Sequence, residues 1–172
     1  MVSTTTARAA VPADSRPSRH GRRFDSPEQE VFLSLWRTYD RLRQLEDELF
    51  GRHGLTAQQY NALRLLRASY PDKVPTLTLA ARLVSKAPDI TRLVDKLAER
   101  GLVDRERPAG NRRTVLVGIT PAGLDLLTAL ADEVRQCHRR QVGHLRADDM
   151  RALVDLLRRA WEPHEADGSG WR

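Results

Sequence analysis

Three arginines cluster in a short segment that is rich in turn-forming residues. The segment spans residues 107–113 and contains Pro, Gly and Asn beside Arg107, Arg112 and Arg113. Residues 102–106 and 115–119 flank it, and alternating apolar side chains in the second flank are typical of a β-strand. The segment is therefore predicted to be the cationic tip of a β-hairpin, although most charge runs are solvated loops without a partner.

An amphipathic helix is predicted directly before this hairpin. Its apolar positions recur at helical spacing, at Ile90, Leu93, Val94 and Leu97. Its polar face carries Asp89, Thr91, Arg92, Asp95 and Lys96. Pro88 suits the first turn, Gly101 suits the position past the last turn, and Thr120 with Pro121 begins another helix after the hairpin. Helix, basic hairpin and capped helix in this order predict a winged helix-turn-helix, which favours duplex DNA as the partner.

Long helices are predicted on both sides of this lobe. A capping box at Ser26 to Gln29 begins a helix that runs to about Phe50, with an apolar seam at Phe32, Leu35, Tyr39, Leu42 and Leu49. The helix after Thr120 carries a second seam at Leu124, Leu127, Ala131, Val134 and His138. A last helix, from about Asp148 to Trp161, is expected to bury Met150, Leu153, Val154, Leu157 and Trp161. One chain would struggle to cover these seams, so they are expected to pair across a two-fold dimer.

These elements divide the chain into five parts. Residues 1–25 form a basic arm that is expected to be disordered, 26–54 an N-terminal dimerisation helix and 55–119 the DNA-binding lobe. Residues 120–162 form C-terminal dimerisation helices, and 163–172 form a frayed tail. Within the lobe, a second capping box at Thr56 to Gln59 begins one helix, and a short helix spans residues 76–83. The predicted fold is mainly α with a small β-hairpin, an α+β winged helix.

Composition favours a polyanionic partner and gives no sign of catalysis. The 172 residues include 29 Lys and Arg against 23 Asp and Glu, a formal net charge of +6. No phosphate-binding loop, nucleophile elbow or pair of carboxylates in an apolar setting is present, so an enzyme is not expected. The single Cys137 excludes an internal disulfide, and the histidines lack metal-ligand spacing, so neither a metal nor a cofactor is expected. No apolar run could span a bilayer, which predicts a soluble, cytoplasmic protein without a membrane partner.

Three stretches of the chain resemble a MarR-type transcriptional regulator, a likeness that covers residues 28–162. Residues 79–83 resemble the first helix of its helix-turn-helix, residues 85–103 its recognition helix and exit, and residues 111–123 its wing and following helix. The family pattern usually has Asp where this chain has Asn111, and that carboxylate tethers the wing arginine. Because Asn111 can accept a hydrogen bond but cannot form the ion pair, a looser hold on Arg113 is expected.

The resemblance implies a homodimer, most often a repressor, that presents two recognition helices to successive major grooves of a pseudo-palindromic operator. Its half-sites would lie about 10 to 10.5 base pairs apart, with the wings in flanking minor grooves. The candidate DNA-binding residues are Ser85, Lys86, Thr91, Arg92, Lys96, Arg107, Arg112 and Arg113. Arg92 is the best candidate to read a base, because a guanidinium can bond two acceptors of guanine. The alternative for Arg92 is a salt bridge with Asp89 or Asp95 on its own helix, and a purely structural role is a stronger alternative for Lys96 than for Arg92.

The resemblance also implies a small aromatic or anionic effector that releases the DNA. The candidate ligand-binding residues are Trp36, Tyr39, Arg43, His53 and Tyr60, although each aromatic side chain is more often a simple core residue. Some relatives sense oxidants through a cysteine, whereas Cys137 is expected to be a small buried apolar residue. Two alternatives stay open: a DNA-binding protein without an effector, and a winged helix that binds another protein.

Overall fold

The computed structural model describes residues 24–84, 89–108 and 114–165. In the described residues, the helices are α1 (Pro27–Arg52), α2 (Ala57–Ser69), α3 (Thr76–Arg82), α4 (Ile90–Glu99), α5 (Pro121–Val142) and α6 (Ala147–Trp161), followed by a 3-10 turn (Glu162–His164). The strands are β1 (Val74–Pro75), β2 (Val103–Glu106) and β3 (Leu116–Ile119). This mainly helical chain with a small antiparallel sheet confirms the predicted fold class.

The chain divides into two compact units, Met1–Arg37 and Thr38–Arg172. In the described part of the first unit, Ser26 Oγ accepts a hydrogen bond of 3.2 Å from Gln29 N, as a capping residue does. The return bond differs from the predicted capping box, because Gln29 Oε1 accepts from the backbone N–H of Asp25 at 2.7 Å. Phe32 and Trp36 lie on the exposed surface of this unit and contact each other edge to face.

Two helices of the second unit, α2 and α5, begin at the predicted caps. Thr56 and Gln59 form a complete capping box at α2, with hydrogen bonds of 3.2 and 2.9 Å. Thr120 Oγ1 accepts from Gly123 N at the start of α5 and also donates to the carbonyl of Gly101 at 2.7 Å. These bonds satisfy backbone groups that a helix end leaves unpaired, so each local sequence signal positions one end of an element.

The hydrophobic core lies in the second unit and joins the helices of the predicted DNA-binding lobe to α5. Its largest fully buried side chains come from α2, α3, α4, β3 and α5: Leu63, Leu66, Leu79, Leu97, Val117, Leu127 and Leu130. Each such residue contributes about 1.5 to 3 kcal/mol through burial, before the cost of ordering the chain. This shared core fixes α4 against the sheet and the neighbouring helices α2 and α3.

The sheet has three strands rather than the predicted two. Its order is β1-β3-β2, and both pairings are antiparallel. Sequence patterning missed β1 because two residues are too few to show alternation. The backbone N–H and hydroxyl of Thr76 both donate to the carbonyl of Val115, at 2.9 and 3.0 Å, and this anchors the end of β1.

The buried face of α5 differs from the predicted seam. Leu127 and Val134 are buried as expected, but Leu130 and Cys137 complete the stripe, whereas His138 is exposed. The other predicted position, Ala131, is only half-buried, and Leu124 packs at the edge of the core. The predicted stripe and the buried stripe share Leu127 and Val134 and differ by one residue at the positions between and after them. Both follow the helical spacing of three and four, and one residue turns a helix by about 100°, so the sequence alone did not distinguish them.

The last helix buries none of its residues in the single chain, which makes the predicted burial along its seam wrong for one chain. Leu153 and Val154 are exposed, whereas Met150, Leu157 and Trp161 are half-buried. The periodicity correctly identified an apolar face, but the elements among the described residues do not fully bury it. Among the described residues, no helix combines the length and apolarity needed to cross a membrane.

Candidate nucleic-acid interface

The amphipathic helix α4 presents a polar face to solvent. Leu93, Val94 and Leu97 are buried on one side and hold the helix in the core. On the other side, Thr91, Arg92 and Lys96 are all exposed. The helix begins at Ile90, and Asp89 Oδ1 accepts a 2.9 Å hydrogen bond from Arg92 N as the cap. The predicted place of Pro88 in the first turn lies outside the described residues.

Asp89 and Asp95, the two carboxylates expected to compete for the Arg92 side chain, have other roles. Asp89 is the helix cap, and Asp95 forms an ion pair with Arg105 of β2. Within residues 24–84, 89–108 and 114–165, Arg92 and Lys96 take part in no ion pair. The pairing of Arg92 with its own helix, which was the alternative to DNA binding, is therefore not the arrangement in the structure.

Strand β2 carries basic and acidic side chains on alternate positions, as the period of a strand requires. Arg105 is held to α4 through Asp95, and Arg107 beyond the strand end is exposed. On the intervening positions, Asp104 and Glu106 both contact Lys73, whose Nζ lies 2.7 Å from Asp104 Oδ2 and 3.0 Å from Glu106 Oε2. The sequence analysis did not single out Lys73, because its partners lie more than thirty residues further along the chain.

Four of the predicted DNA-binding residues cannot be placed. Ser85 and Lys86 belong to the 85–88 segment, and Arg112 and Arg113 belong to the 109–113 segment, both outside the described residues. The same holds for Asn111 and its predicted effect on the wing arginine. These five positions stay predictions. What the structure brings together is α4 with its exposed cations and the two strands that lead into and out of the hairpin tip.

Arg100 joins the end of α4 to the end of α1, a contact that the sequence analysis missed. Its guanidinium donates to the carbonyl of Gly54 at 2.7 Å and to that of His53 at 3.1 Å. Gly54 has a φ of +64°, the left-handed conformation that glycine adopts at little cost after a helix. Charge-assisted hydrogen bonds of this kind are stronger than neutral ones, so Arg100 fixes the exit of α4 against the turn after α1.

The structure describes the surroundings of each predicted ligand-binding residue, and their role in a ligand site stays a prediction. In the second unit, Tyr39 is exposed, and it lies about 20 Å along the helix axis from the His53 end of α1. Arg43 pairs with Asp47 at 3.2 Å on the exposed surface. Tyr60 stacks on Phe50 with ring centroids 4.5 Å apart, as a core aromatic does. Trp36, in the first unit, is exposed.

His53 belongs instead to a small cluster of charges with α5. Its Nε2 lies 3.1 Å from Glu133 Oε1, an ion-pair distance without the alignment of a hydrogen bond. Arg52 Nη2 donates to the other oxygen of the same carboxylate at 2.9 Å. His53, and after it Arg52, hold the pKa of Glu133 below its ordinary value.

A cavity of about 580 Å³ lies beside the candidate DNA-binding face. Its walls come from the start of α3, the first half of α4 and the base of the hairpin. Its lining combines apolar residues such as Ile90 and Val94 with Arg105, Arg107 and three threonines. This mixture suits a small molecule that has both an apolar ring and a negative charge. The sequence analysis did not predict this cavity.

Cys137 has the surroundings of a structural cysteine. It is 5% exposed and lies within the core, and burial raises the pKa of its thiol. A raised pKa leaves little thiolate, the reactive form, at neutral pH. In the described ranges, no group of three or more His, Cys, Asp or Glu side chains is arranged to hold a metal ion.

Comparisons with known proteins place these features beside DNA-binding regulators. Residues 55–115 match the family model described as MarR family. The HTH-type transcriptional repressor NicR of Pseudomonas putida is 30% identical over 167 residues, which cover 97% of this chain and all of the relative. The homoprotocatechuate degradative operon repressor of Escherichia coli is 27% identical over 62% of this chain and 70% of its own length. The crystal structure of a MarR transcription factor from Planctomyces limnophilus is 55% identical, with a TM-score of 0.64 over 78% of this chain and 98% of that one.

Proposed function

Because this chain belongs to the MarR family of transcriptional regulators, we propose that it is a homodimeric repressor that binds a pseudo-palindromic operator and releases it on binding a small effector. Bacterial repressors of this type act on chromosomal DNA, so the protein works in the cytoplasm. The observation that carries the proposal is α4, whose buried face is fixed in the core while Thr91, Arg92 and Lys96 stand exposed on the other side. A helix presented in this way fits the major groove.

Dimerisation is supported by apolar surface that the single chain leaves uncovered. On the apolar face of α6, Leu153 and Val154 are 38% and 66% exposed. On the described part of the first unit, Phe32 and Trp36 are also exposed. Exposed apolar faces of this kind mark interfaces, and a second copy covering the same faces gives a closed two-fold dimer. A dimer also supplies the two recognition helices that a pseudo-palindrome requires.

The dimer is tested by sedimentation equilibrium of the wild type and of Val154→Glu. The wild type is expected at twice the chain mass of 19.5 kDa, and the variant nearer to that mass. Ala152→Glu, at an exposed position on the opposite side of α6, is the control for adding one acidic residue to this helix. A wild type that stays at 19.5 kDa across micromolar concentrations would contradict the homodimer.

DNA binding is tested by gel shift and fluorescence titration with the DNA upstream of the protein's own coding region. Arg92→Ala is expected to weaken specific binding by about 1 to 3 kcal/mol, since a base contact of arginine has that value. Arg113→Ala, at the predicted wing tip, should in addition lower the slope of log affinity against log salt by about one unit per subunit. Arg135→Ala is the matched control, because Arg135 is an exposed arginine of α5 that pairs with Asp132 on the same helix.

Failure of the wild type to bind any DNA from that region more tightly than random DNA would contradict the proposal. It would also favour the alternative of a winged helix that binds another protein. If Arg92→Ala and the Arg135→Ala control had the same affinity as the wild type, α4 would not be the reading helix. The repressor role is then tested separately, by transcription from the bound promoter with and without the protein.

The effector is proposed to be a small aromatic acid. The cavity beside α4 supports this class, because it combines apolar walls with the guanidinium of Arg107. The name of one relative, the homoprotocatechuate degradative operon repressor, points to the same kind of compound. The other candidates support the proposal less, because Tyr39 and Arg43 lie along α1 and His53 lies in the turn after it. Trp36 and Tyr60, the remaining candidates, stay predictions.

A thermal-shift screen of phenolic and carboxylated aromatic compounds tests this part of the proposal. A compound that raises the melting temperature should also weaken operator binding, and Arg107→Met should lower its affinity. Since Arg107 is a DNA-binding candidate as well, ligand binding is measured on the protein without DNA. A complete screen in which no compound changes operator affinity would favour the ligand-independent regulator.

A further inference from the structure

We infer that Lys73 is a positioning residue for DNA binding, because it ties the outer strand of the hairpin across the sheet to the segment before α3. This inference rests on the proposed function. Lys73 precedes β1, at one edge of the sheet, whereas its partners Asp104 and Glu106 belong to β2, at the opposite edge. Its side chain therefore crosses the central strand β3. A single side chain joins the two edges of the sheet.

Gly118 of β3 makes this crossing possible. Its pairing partner in β2 is Asp104, and Val74 of β1 pairs with the preceding residue, Val117. Lys73, one residue before Val74, thus lies level with Gly118. A Cβ atom at position 118 would lie 2.9 Å from Lys73 Cγ and 2.9 Å from Asp104 Oδ1, closer than side-chain atoms normally approach. The missing side chain leaves the path that the lysine follows.

The ammonium group of Lys73 meets two carboxylates on β2. Nζ of Lys73 contacts two carboxylates at hydrogen-bond distance, and its side chain is only 28% exposed. Hydrogen bonds to Asp104, and after it to Glu106, raise the pKa of Lys73 above its ordinary value of 10.5. The ammonium therefore stays charged at any pH at which the protein binds DNA.

The strand β2 is held from both faces as a result. Lys73 holds Asp104 and Glu106 on one face, and Asp95 of α4 holds Arg105 on the other. The first contact fixes the hairpin against the sheet edge, and the second fixes it against the predicted reading helix. Without Lys73, two carboxylates at alternate positions of one strand face repel each other, and the residues that the structure describes offer no other ion pair between that face and the segment before α3. The hairpin would then hold its arginines less firmly in place.

The test compares operator binding by Lys73→Met, Lys73→Arg and the wild type. Methionine keeps the apolar stem over Gly118 and removes the ammonium. We expect Lys73→Met to bind the operator about three- to tenfold more weakly, as the loss of two partly exposed ion pairs allows. Lys73→Arg should recover most of the affinity. Arg135→Met, which removes one cation from α5, is the control for net charge and should bind like the wild type.

The salt dependence separates positioning from direct contact with DNA. Lys73 is occupied by carboxylates, so its loss should leave the slope of log affinity against log salt unchanged. A slope lowered by about 0.9 per subunit would instead make Lys73 a phosphate contact and overturn the inference. Affinity equal to that of the wild type would overturn it as well. A wild type that does not bind the operator at all would instead contradict the proposed function.

A second variant keeps every charge and disturbs the same crossing. Gly118→Ala places a methyl group against Lys73 Cγ and Asp104 Oδ1, and it is expected to weaken operator binding in the same range. Circular dichroism and a melting curve show whether Lys73→Met folds. If it does not fold, Gly118→Ala takes its place in the test. If Gly118→Ala folds and binds like the wild type, the crossing does not position the hairpin.

Discussion

Gly123, near the start of α5, lies close to the backbone before β2 and to the end of β3, and this close approach leads to a specific prediction of stability. A Cβ atom at this position would lie 2.4 Å from the carbonyl oxygen of Leu102 and 2.7 Å from Ile119 Cγ1. That carbonyl cannot easily move, because it accepts a 3.1 Å hydrogen bond from the backbone N–H of Thr120. Replacement of Gly123 by alanine must therefore push α5 away from β2 and β3.

The size of the effect follows from opposing contributions. Alanine favours a helix over glycine by about 1 kcal/mol, which stabilises the variant. Overpacking a close contact costs about 1 to 3 kcal/mol, and weakening the Thr120 to Leu102 hydrogen bond costs about 1 kcal/mol more. The expected net result for Gly123→Ala is a loss of about 1 to 3 kcal/mol in the free energy of unfolding. For a chain of this size, each kcal/mol lowers the melting temperature by about 2 to 4 °C.

Urea denaturation followed by circular dichroism measures this loss, at one fixed protein concentration since association shifts the midpoint. Gly51→Ala is the matched control, because Gly51 also lies in a helix and a Cβ there meets no atom within 4 Å. This control should gain up to about 1 kcal/mol from helix propensity. A Gly123→Ala protein as stable as the wild type, beside a control that behaves as expected, would refute the close approach of α5 to the hairpin.

Three further predictions concern single side chains. Glu133→Gln should unfold more easily than the wild type at pH 7. His53 and Arg52 lower the pKa of the Glu133 carboxyl, so the ionised carboxylate stabilises the fold at pH values above its ordinary pKa of 4.5. Denaturation curves at falling pH should converge as the wild type loses this contribution below pH 4.5; curves that stay parallel would contradict it. Arg100→Met should lower stability by about 1 to 3 kcal/mol through two lost hydrogen bonds, with thermal melts as the readout and no change as the contrary result. Peroxide should leave operator binding of the wild type and of Cys137→Ser equal, and release of the wild type alone would make the buried thiol a sensor.

Sequence patterns predicted those features whose causes lie within a few residues. The caps at Thr56 and Thr120 involve residues three positions apart, and the buried face of α4 follows from one helical period. These local signals located the winged helix. They also identified α4 as the helix with an uncommitted polar face, which is the basis of the proposed DNA contact.

Features that depend on distant residues escaped the sequence analysis. Lys73 meets Glu106 across 33 positions, and Arg100 meets Gly54 across 46, so neither contact leaves a periodic signal. The cavity beside α4 likewise forms only when α3, α4 and the hairpin pack together. For α6, the pattern showed which face is apolar but not what covers it, because a period describes one helix and not its neighbour.

The crossing of Lys73 over Gly118 has a consequence for how this protein can change during evolution. Position 118 stays open to glycine alone while a long side chain at position 73 occupies the space above it. A mutation at either position therefore changes which residues the other position accepts. Without the lysine, Asp104 and Glu106 have no cation between them to offset their repulsion. These four positions should vary together among close relatives, with glycine at 118 wherever lysine or arginine stands at 73. Relatives that carry a bulky residue at 118 should have a short side chain at 73 and a neutral face on β2.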